Sequence, residues 1–199
     1  MATWVWIVIV IAVVVVLAAI VLAANRARRT KQLQAGFGPE YDRTVETAGG
    51  RREAERELQE RRERREQLDI RDLTPAARER YVESWRALQV RFVDDPGSSV
   101  GDADRLVQDV MRDRGYPTDD FEQRAADVSV DHPQVVEHYR AAHTVWAANE
   151  RGNATTEDLR QSLVHYRALF DELVGGSADE PLARDTAAET ENEDVEARR

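Results

Sequence analysis

Residues 4–24 read WVWIVIVIAVVVVLAAIVLAA, 21 consecutive apolar residues, and Arg26, Arg28, Arg29 and Lys31 follow at once. As a helix rising ~1.5 Å per residue this stretch reaches ~31 Å, the thickness of a bilayer hydrocarbon core. The sequence therefore predicts one membrane span, with the lipid bilayer as partner of residues 4–24. No Lys or Arg precedes the span and four follow it. The positive-inside bias then predicts residues 1–3 outside the cell membrane and everything from Arg26 onward in the cytoplasm. Trp4 and Trp6 suit the outer interface, where an indole buries its ring and hydrates its N–H. The competing reading is a cleaved secretory signal. A signal carries a basic segment ahead of an apolar run of ~7–15 residues, and this run is longer and has no such segment.

About 175 residues follow the span, enough for one domain of ordinary size with a spacer and a tail. The absence of cysteine excludes disulfides, thiolate metal sites and cysteine nucleophiles. Net charge is −10, and residues 72–174 hold 20 acidic against 12 basic side chains. A surface that displaces counterions from phosphate needs the opposite balance, so nucleic acid is not expected as a partner. Every basic residue but Lys31 is arginine, a usage that fits a GC-rich bacterial genome and needs no phosphate ligand. The one basic cluster lies in the juxtamembrane segment 25–35, where it meets lipid headgroups.

Gly36-Phe37-Gly38-Pro39 is a turn signal that ends the helix leaving the membrane. Residues 36–68 then read as a charged helical spacer. Phe37, Tyr41, Val45 and Ala48 make one apolar edge, set to lie on the membrane or against the domain, before Gly49-Gly50 interrupts. Residues 51–66 hold seven Arg and six Glu, with pairs one turn apart such as Arg51/Glu55 and Glu57/Arg61. Ala54, Leu58 and Leu68 are the only apolar residues along this stretch, and arginine occupies the seam between the last two. That pattern argues against a coiled coil and predicts a solvated rod of ~27 Å.

Helix punctuation is regular over residues 69–174. Thr74-Pro75 opens a helix carrying Tyr81, Trp85, Leu88 and Phe92. Asp95 or Ser98 caps a second, with Val100, Ala103, Val107, Val110 and Met111 on one face, and Gly115 stops it ahead of Pro117. Asp119 with Glu122 reads as a capping box for a short third helix around Phe121. Asp131 ahead of His132-Pro133 reads as the start of a fourth, with Val135, Tyr139, Ala142 and Trp146 in its stripe. Thr155 or Thr156 caps a fifth, carrying Leu159, Leu163, Tyr166, Phe170 and Leu173. Five helices with one apolar face each predict an all-α bundle, with Trp85, Trp146, Tyr166 and Phe170 in one core. Residues 175–199 are acidic and poor in large apolar side chains, the composition of a disordered tail.

Candidate chemistry is sparse. His138 and His143 are five apart and diverge by about 140° on a helix, so they do not form the i, i+4 pair a metal ion needs. His143 falls on the flank of the apolar stripe, and His132 belongs to a helix start. Asp94-Asp95 and Asp119-Asp120 stand where carboxylates cap helices. There is no G-x-S-x-G, phosphate-binding glycine loop or H-E-x-x-H, so neither a catalytic mechanism nor a cofactor is expected. Asn153-Ala154-Thr155 matches a glycosylation acceptor that a cytoplasmic bacterial domain does not use. Asp131, His132, Arg140 and His143 remain as a polar recognition cluster able to receive an anion or a partner's carboxylate. They suggest a membrane-tethered interaction or scaffold module with a protein partner; the alternative is a small-ligand or stress-sensing domain with a pocket near Asp131, Arg140 and His143.

The chain also resembles a family of single-span bacterial, mainly actinobacterial, membrane or "secreted" proteins of unknown function. The resemblance rests on Phe37-Gly38-Pro39-Glu40-Tyr41, Arg91-Phe92-Val93-Asp94-Asp95-Pro96, Arg114-Gly115-Tyr116-Pro117, Ser129-Val130-Asp131-His132-Pro133 and Thr156-Glu157-Asp158-Leu159-Arg160. It runs from the span to Leu173 and implies no activity. The "secreted" label follows wherever the span is taken for a signal.

Overall fold

The structure, a computed structural model, describes residues 2–175, and the expected acidic tail lies outside them apart from Gly175. It is all-α, with no strand among the described residues. The helices are α1 (Ala2–Phe37), α2 (Pro39–Thr47), α3 (Arg51–Glu66), α4 (Pro75–Arg91), α5 (Pro96–Arg114), α6 (Phe121–Asp131), α7 (Val136–Glu150) and α8 (Thr156–Gly175). Among the described residues α1 alone is long and apolar enough to cross a membrane, and its hydrophobic window is not buried against the rest of them.

The expected five helices of residues 69–174 are α4 to α8. α8 lies between α5 and α7, and α4 packs on α5. Trp85, Tyr139, Tyr166 and Phe170 are buried at the centre, with Trp85 stacked on Phe170 at 4.7 Å between ring centroids. Trp146 differs from expectation: it is half-buried at the rim and packs against this core, its indole lying over Gly101.

Caps largely fall where short polar side chains precede the helices. Thr74 Oγ1 accepts from the Ala77 amide at 3.2 Å, and Asp95 Oδ1 from the Ser98 amide at 3.2 Å. Thr155 and Asp158 exchange side-chain and backbone bonds in a capping box. For α6 the cap is Asp120 and not Asp119, with Asp120 accepting from the Gln123 amide at 2.9 Å. Gly115 ends α5 at φ +97°, and a Cβ there would meet the Asp69 carbonyl at 2.3 Å. This close approach lets the strap before α4 lie along the end of α5, where the Arg71 amide bonds the Arg114 carbonyl at 2.9 Å.

The largest departure from expectation concerns residues 36–68. They are helical and charged, as the composition implies, yet they do not extend as a solvated rod. Gly38, at φ +48°, reverses the chain after α1, and α2 and α3 fold into a hairpin against the end of α1 and against α6. Leu33, Phe37, Tyr41 and Leu58 form a second small core, with Val45 and Val130 packed on it. The physical reason lies in α3, where Ala54, Leu58 and Arg61 at i, i+4 and i+7 form one narrow buried face amid the charge.

Asp131 does not open α7. α6 runs through it, His132 is the C-terminal cap, and α7 begins at Val136 with no side-chain cap. Pro133 fits in the intervening turn, where its missing N–H costs no helical bond.

Candidate functional site

The hairpin meets the bundle through a buried ionic junction. Glu40, in the first turn of α2, is buried on that helix together with Tyr41 and Thr44, and its side chain is 0 % exposed. Two guanidinium groups close on it. Arg140 of α7 donates from Nη1 to Oε2 at 2.6 Å and from Nη2 to Oε1 at 2.8 Å, a two-pronged pair. Arg61 of α3 donates from Nη1 to Oε1 at 2.7 Å and to Ser129 Oγ of α6 at 3.3 Å. Burial pushes the Glu40 carboxyl upward, but the bonds and charges of Arg140 and Arg61 outweigh it and hold the group below its ordinary range. The carboxylate thus ties α2, α3 and α7, and Arg61 extends the junction to α6.

The outer layer repeats the theme. Glu137 accepts from Arg140 at 2.9 Å and lies 3.3 Å from Arg43 Nε, while Glu57 pairs with Arg61. One turn further along α3, Arg65 donates to Asp131 Oδ2 at 2.5 Å, and the Tyr116 hydroxyl donates to the same oxygen at 2.6 Å. Burial, then the Asp131 carboxylate, raise the Tyr116 phenol well above its usual range.

Asp127, also on α6 and 0 % exposed, is the imperfect member. Gln123 donates to Oδ1 at 2.8 Å and Arg64 stands 4.0 Å away, but Oδ2 has no hydrogen-bond partner among the described residues. Desolvation therefore wins here, and the carboxyl is raised above its ordinary value despite Gln123, Arg64 and Arg61.

No family model matches this chain, and no curated protein or solved structure matches it.

The four residues expected to form a recognition cluster have separate fates. Asp131 and Arg140 share the junction but bind different partners, Arg65 and Glu40. The carboxylate that Arg140 receives belongs to this chain. His132 Nδ1 lies 3.1 Å from Glu172 Oε1 on α8. His143 stacks on Phe121 at 3.5 Å between ring centroids, and burial lowers its pKa. The four do not converge into one pocket.

His138 meets His165 of α8, with Nδ1 atoms 2.9 Å apart, and burial together with the neighbouring His138 lowers the pKa of His165. Among the described residues no group of three or more His, Asp or Glu is placed to hold a metal ion.

The sequence assigned no site role to Glu40 or to Arg61, which entered only as the solvated one-turn partner of Glu57. Their signal was positional: each sits on the otherwise apolar or small-residue face of a highly charged helix, which is where a buried ion pair must be placed.

Proposed function

We propose that this chain is a membrane-anchored helical interaction module, in which α1 crosses the bilayer and the bundle docks a protein partner at a fixed place beside it. The observation that carries the reading is the ionic junction at Glu40. It fastens the hairpin, and through the hairpin the end of α1, to the bundle, so that the folded body and the anchor move together. Thr30 of α1 adds to the attachment, its hydroxyl donating to Glu55 Oε1 of α3 at 2.8 Å. A flexible tether would need none of these bonds.

The module binds; it does not catalyse. The polar residues that first suggested chemistry are engaged in capping, ion pairing or aromatic stacking, and none stands as a nucleophile with a base held at hydrogen-bond range. The folded body faces the cytoplasm, on the charge asymmetry around the span.

Affinity purification of the full chain from detergent-solubilised membranes tests this reading. A protein recovered in stoichiometric amount, and lost when Trp85→Ala unfolds the bundle, is the expected result. A co-purifying small molecule without a protein, or turnover of a substrate by the purified chain, would overturn it. A fluorescent protein fused after Arg199 should shine while an alkaline phosphatase fusion stays inactive; the reverse pattern would place the module outside.

A further inference from the structure

We propose that the tip of the α2–α3 hairpin docks on the anionic phosphate headgroups of the bilayer, where Arg51 and Arg52 join Arg26, Arg28, Arg29 and Lys31 in one basic collar around the emerging span. The inference rests on the reading that α1 crosses the membrane. It assigns the hairpin tip a lipid partner that the apolar span alone does not imply.

The argument is one of register. α3 runs alongside the last turns of α1 in the same direction. Glu55 meets Thr30, Leu58 shares a core with Leu33 and Phe37, and Arg61 meets Glu40 just past the turn at Gly38. The offset along the pair is therefore about 25 residues. One helical turn before Glu55, it brings Arg51 and Arg52 level with Arg26 and Ala27. The α2–α3 turn at Gly49-Gly50 is thus the end of the hairpin nearest the apolar stretch.

That level coincides with the headgroup layer. A bilayer of ~40–45 Å with a ~30 Å core leaves ~5–8 Å of interface on each side. At ~1.5 Å per residue, Arg26 to Arg29 lie ~3–8 Å beyond Ala24, inside this layer, and Arg51 and Arg52 lie beside them. All six basic side chains are exposed. At the same end, Glu46 and Glu53 are exposed as well, whereas Glu55 is turned inward to Thr30 and to the Tyr41 hydroxyl. The collar remains net positive on the one face of an acidic protein that meets anionic lipid. The N-terminus of α3, capped by Gly50 without a side-chain bond, adds amide donors of the same sign.

The absence of cysteine makes single-site labelling direct. Thr47→Cys, exposed at the end of α2, is labelled with an environment-sensitive fluorophore on the full chain. The chain is reconstituted in vesicles of phosphatidylcholine alone or mixed with phosphatidylglycerol. The proposal expects quenching by a water-soluble quencher to fall several-fold in the anionic vesicles, and high salt to reverse the protection. R51Q/R52Q should abolish the difference between the lipids, whereas Arg62→Gln, at the far end of α3, should leave it unchanged. Equal quenching in both lipids, or full protection of the R51Q/R52Q chain, would overturn the docking. So would protection reproduced by inorganic phosphate over phosphatidylcholine, which would make the tip a free-anion site. A second label at Ala18→Cys separates the two readings. If it is quenched from water in both vesicles the span itself fails; if it is shielded while Thr47 stays exposed, only the docking fails.

Discussion

Glu40 and Arg140 stand 100 residues apart in sequence and share a two-pronged ion pair at 2.6 and 2.8 Å, buried beneath the hairpin. Removing a carboxylate from water costs several kcal/mol unless its partners restore the lost interactions, and here Arg61 completes the set. A pair of this kind contributes chiefly by specifying one arrangement: the hairpin seats correctly only when Glu40 lies between both guanidinium groups.

Glu40→Ala should therefore be among the most damaging single changes in the chain. It leaves two guanidinium groups, each about one-tenth exposed, facing each other without their anion. A loss of about 3–5 kcal/mol is expected in chemical denaturation of the full chain in micelles. Arg61→Met should cost less, because Arg140 still holds the carboxylate.

Asp127→Asn should behave oppositely, although Asp127 is equally buried. Its raised folded-state pKa means that the ionised form is disfavoured by folding, a cost present as pH rises through that value. Asparagine keeps the acceptor for Gln123 and removes the charge. Unchanged or higher stability is expected at pH 7, and a lower thermal midpoint than the parent would contradict the assignment.

Stability should fall between pH 7.5 and pH 5 through the histidines. His143 and His165 both have folded pKa values below the unfolded value near 6.5, so the folded state binds fewer protons in that window and acid favours unfolding. For His165 the causes are burial and the adjacent His138. His165→Gln should flatten the decline measured by thermal unfolding across this range. Below about pH 4.5 a further loss is expected as Glu40, held low by its arginines, becomes protonated.

Trp85 and Trp146 should separate in an alanine comparison. Trp85 is 1 % exposed and stacked on Phe170, so truncation should cost ~3–5 kcal/mol and unfold a marginal bundle. Trp146 is half-buried at the rim and should cost clearly less. Equal shifts in thermal midpoint would show that the two share the same packing.

The bundle was legible from sequence because each of its helices carries an apolar stripe at 3.6-residue spacing and most are bounded by Thr, Asp, Pro or Gly in positions with a fixed meaning. The hairpin was harder to read. In α3 the buried face is only Ala54, Leu58 and Arg61, too narrow to register as a stripe, and its third member is a charge that usually signals solvent. Glu40 was hidden for the same reason, since its burial depends on Arg140, whose proximity is set by tertiary folding alone. Asp131 was misplaced because an Asp before His-Pro has the pattern of a cap, whereas Val128 and Asp131 extend the preceding helix and the Val128 carbonyl accepts from the His132 amide at 2.8 Å. Local pattern specifies caps and stripes; it does not specify which distant charge a buried one will meet.

The rigid coupling of hairpin to bundle, on which the proposed anchoring depends, is open to a distance measurement between nitroxides placed at Glu60→Cys on α3 and Glu150→Cys on α7, both exposed, in the full chain reconstituted in nanodiscs. Pulsed electron–electron resonance should give one narrow distance distribution with Glu40 present and a broad one after Glu40→Ala. A broad distribution in the chain that retains Glu40 would contradict the junction and return residues 36–68 to the role of a solvated, charged helical spacer.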